Sequence, residues 1–126
     1  MILDTCVLLW MAGNPAKLSA DAKAALIPNG DFYVSAISAF EIAIKHKKKK
    51  LALPMPPWQW FQEATRLLKI KEIPVSAKIA ALSTEIDVSH ADPCDRIIIA
   101  TAIEHTMPVV TSDHLIRDCK QIETIW

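Results

Sequence analysis

"DPCDRIIIATAIEHTMPVVTSD", residues 92–113, decides how this chain is read. Asp92 is a favourable N-cap, and Pro93 suits the first helical position, where its missing N–H is not needed. Ile97, Ile98 and Ile99 begin a helix-length run of apolar and small residues that ends at Thr106. Pro108–Ser112 then reads as a short buried strand with Asp113 directly behind it. Helices alternating with continuously apolar strands argue for a parallel sheet covered on both faces.

The same alternation extends through the rest of the chain. Ile2–Asp4 predicts a short strand, followed by a brief helix ending near Gly13. Ser19 caps a helix that stops before Pro28, and Asp31–Ser35 has the β-branched and aromatic make-up of a strand. The next helix carries Ile37, Phe40 and Ile44 at helical spacing, which predicts its core-facing stripe. Pro57 opens another helix, residues 72–76 read as a short strand or a connector, and a further helix starts near Ser76. Residues 113–119 make a helical turn or two, and residues 122–126 a last strand. The expected fold is α/β: a three-layer α/β/α sandwich around a central, mainly parallel sheet of four or five strands. One domain is expected over residues 1–126.

Composition narrows the function. With 52% hydrophobic and 22% charged residues, the chain is too apolar for disorder. Its formal net charge of zero lacks the global footprint of a dedicated nucleic-acid binder. Basic charge is concentrated instead at Lys45, Lys47, Lys48, Lys49 and Lys50, either a solvated helix end or a phosphate-facing segment. Three cysteines, Cys6, Cys94 and Cys119, are an odd number without paired spacing, which points to a reducing compartment. The apolar opening has no basic residues ahead of it and contains Asp4, unlike a signal peptide. No run approaches a membrane span, so a cytoplasmic protein is expected.

Ligands of open parallel sheets bind beyond the carboxyl ends of the strands. Asp4 closes the first strand, Asp113 follows the strand at Val109–Thr111, and Asp95 sits in the first turn of the helix before it. Glu41 falls on the predicted core stripe, where a carboxylate is costly without compensation. A capping box of Ser38 with Glu41 would explain it otherwise, but Ser35 is an equally good cap. Carboxylates gathered at one sheet edge repel one another unless a hard divalent cation bridges them.

Rival chemistries fit less well. His90 with Cys94 resembles part of a zinc-deaminase pattern, but the acid is Asp92 and Ile97 stands where a second cysteine is required. A phosphoaspartyl phosphatase would want a second aspartate at the place of Cys6. Two isolated glycines, Gly13 and Gly30, cannot build a phosphate-cradling loop.

"ILDTCVLLW" (2–10), "VSAISAFEIAIK" (34–45) with "KLALP" (50–54), "HADPCDRIIIATA" (90–102) and "PVVTSDHLI" (108–116) occur in register. Together they resemble the VapC-type toxins of the PIN-domain family over nearly the whole chain. The resemblance implies a divalent-cation-dependent endoribonuclease, using Mg²⁺ or Mn²⁺. It places the family's invariant acids on Asp4, Glu41 and Asp95, with a more variable fourth on Asp113. Thr5, Ser35 and Thr111 become supporting hydroxyls, and Asp92 a cap and neighbour able to hold outer-sphere water. Lys45, Lys47, Lys48, Lys49 and Arg96, with Arg117, become candidate phosphate contacts. Products with a 5′-phosphate and a 3′-hydroxyl are implied. So are a homodimer and a cognate antitoxin masking the acidic groove, for which Trp58 and Trp60 are candidate contacts unless they are core. Relatives commonly have a glycine before the "KL.LP" segment, where this chain has lysines. A non-catalytic PIN-like binding module and a small phosphatase are the alternatives.

Overall fold

Adjacent residues of a strand point to opposite faces, so a strand covered on both sides is apolar without alternation. A computed structural model describes residues 1–89 and 92–126. Its strands are β1 (Ile2–Leu3), β2 (Phe32–Ser35), β3 (Ile70–Ile73), β4 (Val109–Val110) and β5 (Thr124–Ile125). They form a five-stranded sheet in the order β3-β2-β1-β4-β5, with every neighbouring pair parallel. The helices are α1 (Thr5–Gly13), α2 (Ala20–Ala25), α3 (Ile37–Lys47), α4 (Pro57–Leu67), α5 (Ala77–Leu82), α6 (Pro93–His105) and α7 (His114–Arg117).

The strand residues sort into two cores. Ile2 and Val109 face one, with Ile79 of α5, Ile98 and Ile99 of α6 and Ile116 of α7. Leu3 and Val110 face the other, with Val7 and Leu8 of α1, Ala22 of α2, Ile42 of α3 and Phe61 of α4. The expected three-layer sandwich is therefore the observed one.

Local signals place most helix starts. Ser19 Oγ accepts from the Ala22 N–H at 3.0 Å, Ser76 Oγ from Ile79 at 3.1 Å, and Asp92 Oδ1 from Cys94 at 2.9 Å. Pro57 and Pro93 occupy first turns as expected.

Two expectations are corrected. β3 lies at Ile70–Ile73 rather than 72–76; Lys71 and Glu72 are exposed between the buried isoleucines, because this edge strand pairs with β2 alone. The buried residues of α3 are Ser38 and Ile42, whereas Phe40 is 56% exposed. Of that stripe, Ile37 packs partly buried against the first core, whereas Phe40, Glu41 and Ile44 line a cleft. In the lysine run, Lys49 takes φ 58°, the left-handed conformation that glycine adopts without strain. Among the described residues, no helix is long and apolar enough to cross a membrane.

Candidate active site

Strand order reverses at β1 and β4: β2 and β3 extend to one side and β5 to the other. A crevice beyond the carboxyl ends of two such strands is the usual ligand site of an open parallel sheet. A cleft of about 580 Å³ occupies that place, and Asp4, Glu41, Asp92, Asp95 and Asp113 all line it.

Asp4 follows β1 and is only 4% exposed. Its Oδ2 accepts a 2.8 Å hydrogen bond from Thr111 Oγ1, which in turn accepts from the Asp113 N–H at 3.0 Å. Burial still pushes the Asp4 carboxyl above its ordinary range, against the hydrogen bonds from Thr111 and the Thr5 backbone and with the Asp113 charge adding to the rise. Asp95 is buried in the first turn of α6, where the helix dipole favours negative charge. Asp113 Oδ1 caps α7, accepting from Leu115 at 2.8 Å and Ile116 at 3.3 Å.

Glu41 lies beyond the first turn of α3, whose N-cap is Ala36, so it belongs to no capping box. Ser38 Oγ accepts from Thr5 Oγ1 at 2.8 Å, and Ser35 Oγ accepts from the Ile37 N–H at 3.2 Å. Of the three hydroxyls expected to support the site, Thr111 donates to one of the acids, Asp4. Thr5 and Ser35 brace the start of α3. Glu41 Oε1 is 3.5 Å from Lys45 Nζ, one turn further along the same helix. Its other oxygen, Oε2, is buried without a hydrogen-bond partner. Burial raises the Glu41 carboxyl, partly offset by Lys45, with the Asp4 and Asp92 charges adding to the rise.

A buried carboxylate oxygen without a donor, among four further acids, is a donor set for a hard cation. Among the described residues, no group of three or more acidic, histidine or cysteine side chains is drawn together closely enough to hold a metal ion by itself. An ion that keeps much of its water and needs only one or two carboxylates, as magnesium does, suits such an open arrangement. Burial, with Asp4 adding to it, pushes the Cys6 thiol up to about 11. Burial and Asp92 do the same to Cys94, also to about 11. His90, the remaining residue of the zinc reading, lies outside the described residues.

The basic residues divide. Lys45, Lys48 and Lys50 line the cleft; Lys47 and Lys49 are exposed away from its lining, as is Arg117 on α7. Arg96, expected as a phosphate contact, donates within the chain to backbone carbonyls. Its Nε donates to Ser83 O at 3.0 Å, Nη1 to Val88 O at 3.2 Å, and Nη2 to Ile86 O at 2.9 Å and Thr84 O at 3.5 Å. One guanidinium thereby clamps the turn between α5 and α6, one residue from Asp95. Trp58 is exposed on α4, while Trp60 packs partly buried against the α1–α4 core, so core packing accounts for Trp60 alone.

Phe40 and Ile44 are cleft residues that sequence reasoning misplaced, and Ser112 is one that it passed over. Phe40 has the spacing of a core residue, and the only available signal was its position beside Glu41.

Fold and site define a class: a parallel α/β/α protein with a carboxylate-lined cleft at the strand-order reversal. The family model described as PIN domain matches residues 1–120, and the chain belongs to the PIN domain family. It is 31% identical to Ribonuclease VapC22 of Mycobacterium tuberculosis over 129 residues, covering 100% of this chain and 98% of that protein. Among solved structures, DNA-bound VapBC from Salmonella typhimurium superposes with a TM-score of 0.70 at 15% identity, covering 98% of this chain and 94% of that one. VapBC2 from Rickettsia felis, bound to a DNA fragment from its promoter, gives 0.66 at 16% identity, with 98% and 95% covered.

Proposed function

We propose that this protein is a divalent-cation-dependent endoribonuclease, the toxin of a VapBC-type toxin–antitoxin pair acting in the cytoplasm as a homodimer. The observation that carries the reading is the convergence of Asp4, Glu41, Asp95 and Asp113 on one cleft, with Glu41 Oε2 buried and unpartnered. The full-length similarity to Ribonuclease VapC22 supports RNA as the substrate.

Asp4, Glu41, Asp95 and Asp113 would hold one or two Mg²⁺ or Mn²⁺ ions. Such ions, when bound, neutralise charge on the phosphodiester and lower the pKa of the attacking water. The chain's own residues prepare the site. Thr111 fixes the Asp4 carboxylate, Lys45 holds one oxygen of Glu41, and Asp92 caps α6 so that Asp95 faces the cleft. Lys45, Lys48 and Lys50 add positive charge for the RNA backbone. In-line hydrolysis leaves a 5′-phosphate and a 3′-hydroxyl.

The test is cleavage of structured RNA by purified protein with Mn²⁺, against Asp4→Asn and a chelator. Cleavage lost in both controls supports the reading. Absence of cleavage by the unaltered chain overturns it, and turnover of a small phosphomonoester instead would favour a phosphatase.

A further inference from the structure

We infer that Phe40 is the platform on which an unpaired nucleobase of the substrate stacks, with Lys48 and Lys50 taking the neighbouring phosphates. The inference rests on the nuclease reading and deepens it, because it names the side chain that receives a base of the substrate.

Phe40 is 56% exposed although it lies on α3 between the buried Ser38 and Ile42. It lines the cleft immediately beside Glu41. Ile44, one turn on, lines the same cleft, and side chains four apart on a helix are surface neighbours. Together they make an apolar strip set into a wall of charge. Among the described residues no aromatic ring packs on Phe40.

A ligand suited to this wall must be anionic toward the lysines and flat and apolar toward the phenyl ring. A nucleotide is both. Bases inside a duplex are already stacked and cannot reach a protein ring, whereas a looped or single-stranded base stacks on an aromatic side chain. The exposed Lys48 and Lys50 on the cleft give phosphates a counter-charge beside the ring, which an apolar protein segment would leave unmet; a protein occupant is one outcome of the test.

The experiment compares the unaltered protein with Phe40→Leu and Phe40→Trp. Its readouts are steady-state cleavage of a short single-stranded RNA with Mn²⁺, quenching of 2-aminopurine placed in that RNA, and binding of Mn²⁺ alone. Loss of one stacked base predicts a roughly tenfold rise in KM for Phe40→Leu. It also predicts loss of quenching, with Mn²⁺ binding unchanged and Phe40→Trp close to the unaltered protein. Because Phe40 is exposed, Phe40→Leu should melt like the parent. Unchanged KM and quenching in Phe40→Leu overturn the platform while leaving the nuclease reading intact. No cleavage by any form overturns both. If Phe40→Leu cleaves normally but binds the antitoxin more weakly, the ring belongs to a protein interface and the platform is rejected.

Discussion

Thr111 Oγ1 donates to Asp4 Oδ2 at 2.8 Å across 107 residues of sequence, and the same oxygen accepts from the Asp113 N–H. Parallel pairing of β1 with β4, Leu3 opposite Val110, brings the two strand ends side by side. One hydroxyl therefore organises two of the cleft's acids. Thr111→Val keeps the volume but removes both hydrogen bonds within a buried site. It should destabilise the protein by about 1–3 kcal/mol and weaken Mn²⁺ binding roughly tenfold. Denaturant titration and Mn²⁺ calorimetry check this; undiminished Mn²⁺ affinity would remove Thr111 from the site's support.

The acidic cleft predicts an inverted pH dependence of stability. Burial raises both Asp4 and Glu41 above their ordinary values of 3.8 and 4.5. The native state then binds more protons than the unfolded chain between those values and the raised ones. Stability contributed by these groups therefore falls as pH rises through that window, and the unfavourable contribution is complete above it. Metal-free protein should gain in Tm as pH falls from neutrality into the window, before ordinary carboxylates titrate. Asp4→Asn should be more stable than the parent at neutral pH, and its gain on acidification smaller. Melting curves in chelator decide the point: a parent that loses Tm as steeply as Asp4→Asn contradicts it.

Arg96 as a clamp and Arg96 as a phosphate contact predict different things. Its guanidinium donates to four carbonyls between Ser83 and Val88. Arg96→Met should destabilise by about 2–4 kcal/mol, since several carbonyls lose a charged donor at once, and lysine should restore only part, lacking the planar fork. The salt dependence of RNA binding by the folded variant should stay that of the parent. A shallower salt slope with unchanged stability would return Arg96 to the phosphates.

Lys49 occupies a left-handed position at φ 58° in the turn after α3. A side chain there is strained by about 1–2 kcal/mol, and part of the gain from glycine is lost to its greater freedom when unfolded. Lys49→Gly should therefore stabilise by about 0.5–1 kcal/mol, read from the shift in urea midpoint at constant slope.

The layers were legible from the chain alone, because apolar strands alternate with capped helices and each cap is a local interaction. Ser19, Ser76 and Asp92 bond within three residues of themselves, so their helix starts follow from neighbouring residues alone. Asp4, Asp95 and Asp113 could be selected as candidates because topology puts strand ends together whatever the side chains do. Edge strand β3 was shifted, since pairing on one side allows exposed Lys71 and Glu72 inside it. The orientation of α3 was beyond the sequence. Ile37, Phe40 and Ile44 repeat at helical spacing, yet spacing does not say which face meets the sheet and which meets a cleft. Arg96 carries the same lesson: nothing local in the sequence says that its guanidinium holds the turn at Ser83–Val88. Sequence determined the elements and their order, through caps, prolines and apolar runs that act over a few residues. Tertiary structure decided which way α3 faces, what Arg96 holds and which hydroxyl reaches Asp4, because each depends on groups brought together only when the sheet closes.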